Sequence, residues 1–182
     1  LALQQLGYTP QVQEFLIGDP ADHLLSANII ATKDGSSGTT LVVGAHYDTR
    51  PGSPGATDNA TGIGLLLETA GRLREVDTPH TIVFVAFGAH WQGAAGAAFY
   101  VGELEGFERD ALLGMVDLDT VAGGDLLVAY GPDGEGAWLR DALAIAAERS
   151  GVDVTAAAAG AGGEHGAFHE AGFPCAGLVS TA

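Results

Sequence analysis

Apolar and polar positions along the chain switch repeatedly between two periods. Residues 12–17 and 27–32 carry strand-like apolar runs, and the turn-forming residues 34–38 follow the second. Residues 40–44 form a short apolar run suited to a buried strand. Thr81–Phe87 is the strongest strand signal, and its unbroken apolarity predicts burial on both faces. Between these two runs, Ile63, Leu66, Leu67, Ala70 and Leu73 recur at three- and four-residue steps. That spacing predicts a helix over 58–76 with one stripe facing a core. Further helices are expected over 92–104, 136–149 and 164–170, and strands over 113–118, 126–130 and 176–179. The opening residues 1–6 read as the last turns of a helix with Gly7 as its stop. Residues 156–163 are compositionally loose and read as a mobile loop. Strands alternating with helices predict an α/β fold: a three-layer α/β/α sandwich around a mixed, mainly parallel sheet, with Thr81–Phe87 central.

At 182 residues, with no linker or low-complexity stretch, the chain reads as one domain spanning 1–182. Its 28 glycines follow no fixed period, which excludes collagen, coiled coil and solenoid. Lys and Arg total 7 against 23 Asp and Glu, a net charge of 7 − 23 = −16. This argues against nucleic acid and against anionic membrane surfaces, since both attract basic patches. No apolar run approaches the roughly 20 residues needed to span a bilayer, and no signal-peptide pattern is visible. The single cysteine, Cys175, excludes internal disulfides and a Cys-ligated metal, and reads as a small core residue.

Candidate chemistry concentrates at the strand ends, where ligand crevices of open α/β sheets lie. His46 closes one apolar run and is followed by Asp48, a pairing that suits a metal-binding imidazole with a carboxylate behind it. Asp58 opens the helix at 58–76, where it reads either as an N-cap or as a ligand. Asp119 ends a later run, and His165 begins a short helix. His169 stands four residues beyond His165 and reads as surface, as do His23 and His80; Tyr47 and Arg50 flank the first motif as possible walls of a cleft.

The ordered motifs GAHYDT, GATDNATG, VAFGA-x-x-QG, MVDLD and EHGAF-x-x-AGFP resemble the co-catalytic di-zinc aminopeptidases. That family of zinc exopeptidases also includes carboxypeptidase-like and glutaminyl-cyclase-like members. The resemblance covers almost the whole chain and implies that the domain's first helix and C-terminal end lie outside it. It also implies one zinc on His46, Asp58 and Asp119, a second shared by Asp58 and His165, and Asp48 behind the first histidine. A cis peptide between Asp58 and Asn59, a peptide or amino-acyl substrate, and export are further implications. The chain departs from the pattern at one place. Where the family carries two consecutive Glu, a general base and a ligand of the second zinc, this sequence reads His90-Trp91. Trp91 has no lone pair to offer a metal. His90 reads as a replacement ligand or as a replacement base. Two functional readings follow. One is a zinc hydrolase that removes N-terminal residues with an altered base. The other is a metal-binding or interaction domain without turnover.

Overall fold

The computed structural model describes residues 2–19, 22–159 and 162–181. Eight strands form one mixed sheet: β1 (Gln11–Asp19), β2 (Asp22–Lys33), β3 (Thr40–His46), β4 (Thr81–Phe87), β5 (Leu112–Leu118), β6 (Leu126–Gly131), β7 (Val154–Ala158) and β8 (Cys175–Thr181). Their order across the sheet is β1-β2-β4-β3-β5-β8-β6-β7. The central run β4-β3-β5-β8 is parallel, while β1 with β2, β2 with β4, and β6 with β8 pair antiparallel.

β4 lies inside the sheet and is apolar throughout because both of its faces are covered. Ile82 and Phe84 enter one core with Leu66 and Ala70 of α2 (Ala60–Leu73) and Leu139 of α5 (Ala137–Arg149). The alternate residues Val83, Val85 and Phe87 enter a second core. There they meet Ala97, Tyr100 and Val101 of α3 (Ala95–Gly102) and Phe168 of α6 (Gly163–Glu170). This period-two division of one strand between two cores produces the three layers. Cys175 is buried in the second core as a plain apolar residue, and burial pushes its thiol up to about 11. A short helix, α1 (Ala2–Gln5), docks Leu3 into the first core, and Gly7 ends it at φ +85°.

Two local expectations are corrected, and one helix was not anticipated. The expected helix over 92–104 is broken into a 3-10 turn, His90–Gln92, and α3, because Ala89, Gly93 and Ala94 all take left-handed backbone angles. Part of the expected loop at 156–163 is β7, whose backbone pairs with β6; alanine's weak strand preference concealed it. Gly160 and Ala161 of that stretch lie outside the described residues. The six-residue helix α4 (Gly106–Ala111) is exposed along most of its length and left no apolar stripe to read.

The contact that places α2 runs through Asn59. Its Oδ1 accepts the Gly62 and Thr120 backbone N–H groups at 2.9 and 3.0 Å, and its Nδ2 donates to the Leu118 carbonyl at 2.8 Å. One buried side chain thus caps α2 and ties it to the end of β5. The cap is Asn59 and not Asp58, which removes the bland reading of Asp58. The approach is tight: a Cβ on Gly62 would sit 2.1 Å from the Leu118 oxygen. The Asp58–Asn59 peptide is cis, as the resemblance implies.

Phe84 is fully buried, so Phe84→Ala is expected to destabilise the domain by about 3–5 kcal/mol. Leu16, 62% exposed on β1, should change stability by less than about 0.5 kcal/mol when replaced by Ala. Denaturant titration of the two variants measures the contrast. Asn59→Ala leaves two N–H groups and one carbonyl without their partner, and a loss of roughly 2–3 kcal/mol is expected in the same titration.

Candidate metal centre

The parallel strands deliver the polar residues to one crest. His46 is the last residue of β3, and Asp119 follows β5 by one residue. The 3-10 turn that begins at His90 lies just past β4, and His165 sits in the first turn of α6.

At the centre, His46 is completely buried. Its Nδ1–H donates to the Asp48 carbonyl at 2.9 Å, which turns Nε2 toward the carboxylates. Nε2 lies 3.1 Å from Asp58 Oδ1 and 3.7 Å from Asp119 Oδ1, yet it makes no hydrogen bond. These separations bracket the roughly 3.3 Å that parts two donors on a tetrahedral ion with bonds near 2.0–2.1 Å. The His90 ring stacks on His46 with centroids 3.9 Å apart and planes 15° from parallel. Potential ligand atoms of His46, His90 and Asp119 all lie within 4.8 Å of one another.

Carboxylates govern the electrostatics. Burial alone would depress the His46 pKa, but Asp119, Asp48 and the more distant Glu164 outweigh it and push the imidazole up to about 10. Burial likewise disfavours charge on Asp119 and Asp48, yet the interaction with His46 holds both below the usual carboxylate range. The crest around His46 therefore carries excess negative charge. A buried nitrogen without a hydrogen-bond partner, in a field that favours positive charge, fits a divalent cation.

Asp48 lies behind His46 as expected and has a second part as well. Its carboxylate Oδ1 stands 3.7 Å from His46 Nδ1, and its carbonyl takes the hydrogen bond instead. The carboxylate accepts the backbone N–H groups of His90 and Trp91 at 3.0 and 3.3 Å and so fixes the 3-10 turn. Trp91 points outward, 39% exposed, with the Arg50 guanidinium 5.9 Å from its ring centre. Tyr47 is exposed, and its hydroxyl donates to the Ala27 carbonyl. His165 is buried and pairs through Nδ1 with Asp117 Oδ2 at 3.1 Å, while the Gly162 N–H points at its Nε2 from 3.4 Å. The cluster of His46, His90 and Asp119 does not include it. His169 is exposed. His80 holds the turn before β3 through Thr39 Oγ1 at 2.7 Å.

Two site residues escaped sequence reading. Glu164 is fully buried, with both carboxylate oxygens 2.9 Å from His90 Nδ1. Asp117 is buried behind His165, and burial holds its carboxyl well above the usual range despite that hydrogen bond. Each left a signal: an acid directly before a candidate histidine, and one acid inside an otherwise apolar strand.

Comparison with known proteins agrees with this crest. The sequence profile described as peptidase family M28 matches residues 28–182. Aminopeptidase YwaD of Bacillus subtilis is 35% identical over 144 residues, covering 76% of this chain and 31% of the relative. A zinc aminopeptidase structure from B. subtilis superposes with TM-score 0.78 at 31% identity, covering 87% of this chain and 41% of that one. An aminopeptidase from an Aneurinibacillus strain gives TM-score 0.78 at 30% identity, over 88% and 40% of the two chains. The chain thus spans less than half the length of each of these relatives. A sandwich with these strand-end residues, matched by the family profile over most of its length, belongs to peptidase family M28 and is an aminopeptidase-like domain.

Proposed function

We propose that this domain binds zinc at the crest through His46, Asp58 and Asp119 and, within its full-length protein, removes N-terminal residues from peptides slowly, without a carboxylate general base. The observation that carries the metal reading is the buried His46 Nε2, which has no hydrogen-bond partner and faces two carboxylates. A bound zinc lowers the pKa of a water and polarises a scissile carbonyl.

The chain's own residues do the rest. Asp48 fixes the orientation of His46 through its carbonyl and the backbone of residues 90 and 91 through its carboxylate. The excess of carboxylates at the crest suits the cationic α-amino group of a peptide. Trp91 and Arg50 supply an exposed wall beside it. A general base is what this arrangement lacks. The interaction with Glu164 raises the His90 pKa against the effect of burial, and its Nδ1 is occupied by that carboxylate. A missing base forfeits about 10²–10⁴-fold in rate. The second reading, metal binding without turnover, is favoured by the same His90-Trp91 pair.

Occupancy should be asymmetric. The set His46, Asp58 and Asp119 offers one nitrogen and two carboxylates, whereas a second zinc would find Asp58 and His165 beside the outward-turned Trp91. At sub-saturating zinc, one ion per chain is expected, by elemental analysis of the full-length protein.

Restoring the carboxylates tests the activity. In the zinc-loaded full-length protein, His90→Glu with Trp91→Glu should raise hydrolysis of amino-acyl fluorogenic substrates by at least about 10²-fold. Either change alone should do little, because base and second metal act on one attacking water. Trp91 is exposed enough that replacing its ring leaves no sealed cavity. Native turnover within about tenfold of the double variant would sink the slow-enzyme reading, since a working base is worth more than that.

A further inference from the structure

We infer that the two-stranded arm of β1 and β2 is a docking wall for the peptide substrate, where Leu16 and Leu25 select apolar side chains a few residues beyond the peptide's N-terminus. This assignment rests on the reading above that the crest is an aminopeptidase site, and it concerns the part of the substrate that the crest itself does not hold.

The register of the sheet places the arm. β2 pairs with β4 from Ile29 opposite Ala86 to Lys33 opposite Ile82, whereas β1 follows β2 from Gln11 opposite Ile30 to Asp19 opposite Asp22. Residues 14–19 and 22–27 therefore run on past the end of β4, on the side of the crest. β2 lies two strands from β3, which ends in His46, and at about 4.8 Å per strand the arm stands roughly 10 Å to one side of the crest. An extended peptide advances about 3.3 Å per residue, so its third or fourth residue reaches the arm when its amino group lies at the crest.

The arm is rigidly anchored on one face and bare on the other. Phe15 is buried and stacks on Phe99 of α3, with ring centres 5.2 Å apart. Asn28, also buried, donates to the Gly96 carbonyl of α3 at 2.8 Å and accepts the Gly88 N–H at 3.2 Å. Tyr47, the residue after His46, braces the arm through its hydroxyl, which donates to the Ala27 carbonyl at 2.8 Å. Leu16 and Leu25 stand directly opposite each other on the remaining face, 62% and 65% exposed. Further down β2, that face carries Ile29 and Ala31 into the first core, the one that α2 covers. The two leucines thus lie on the side from which Asp58, just ahead of α2, enters the crest.

Size, charge and position select the occupant. Two leucine side chains fall well short of the roughly 800 Å² per partner that a stable protein interface buries, so they suit a short extended segment better than a folded partner. Glu14 shares their face, and the chain carries a net charge of −16, so acidic side chains are repelled and apolar ones accepted. Tyr47 makes the patch continuous with the crest. Leu24, 62% exposed and paired with Ile17, points to the opposite face and serves as an internal control.

Fluorescence anisotropy of C-terminally labelled pentapeptides with free amino termini, on the zinc-loaded full-length protein, tests the arm. A peptide with leucine at its third and fourth positions is expected to bind at least about tenfold more tightly than one with serine there. Leu25→Asp should remove that preference, and Leu24→Asp should keep it. Equal affinity for the two peptides in the unaltered protein, a measurement that requires no variant to fold, would overturn the inference. So would an equal loss in Leu24→Asp, or a dimer in light scattering that Leu25→Asp splits, since the arm would then join copies of the chain. Hydrolysis of amino-acyl fluorogenic substrates, too short to reach the arm, separates the two levels. Turnover without a leucine preference leaves the aminopeptidase reading standing and removes the arm. A leucine preference that Leu25→Asp abolishes, with no turnover by the unaltered protein, keeps the arm as a peptide-docking surface and removes the aminopeptidase reading.

Discussion

Everything at the crest depends on one buried imidazole held between carboxylates. His46 cannot reach water, and its Nε2 has no hydrogen-bond partner, so the surrounding structure must keep Asp58 and Asp119 facing it. Neither aspartate lies on the same element as His46. Asn59 joins them: it caps α2 beside Asp58 and bonds to the chain on both sides of Asp119. A single amide therefore converts the packing of a helix on a sheet into a fixed distance between two acids. Gly62 permits that packing, since any side chain there would strike the end of β5.

The same device appears three times around this centre. Each of three imidazoles has its Nδ1 occupied from behind: His46 by the Asp48 carbonyl, His90 by Glu164, and His165 by Asp117. The far nitrogen of His46 has no hydrogen-bond partner, whereas that of His165 faces the Gly162 N–H. Burial makes these arrangements rigid, because an unpaired ring nitrogen or carboxylate in the interior is costly. It also concentrates negative charge where the parallel strands end, and the pKa of His46 records that concentration.

Much of the fold was legible because β4 and α2 display their periods without interruption. An apolar heptapeptide had to be covered on both faces, and the stripe from Ile63 to Leu73 had to face it. What stayed hidden was structure made by backbone alone. β7 pairs through main-chain hydrogen bonds that its alanines do not advertise, and the left-handed residues that split α3 from its 3-10 turn are alanines as well as a glycine. At the crest, the meeting of His46, Asp58 and Asp119 was foreshadowed by their residue types at strand ends. Glu164 was not, since its meaning depends on His90, which is 74 residues away in sequence and in contact only after folding. Asp48 was placed correctly beside His46, but its carboxylate serves the backbone of a different loop.

That last contact explains how positions 90 and 91 could exchange side chains while the architecture remained. The turn is gripped by its amide hydrogens, so its path is set by Asp48, two residues past the end of β3, and not by the groups it displays. A main chain anchored in this way works as an interchangeable mount: chemistry carried on it can be replaced without renegotiating the fold. The crest of this domain is thus fixed in shape and open in reactivity, and variation within such a scaffold falls most easily on the side chains that the clamp itself does not touch.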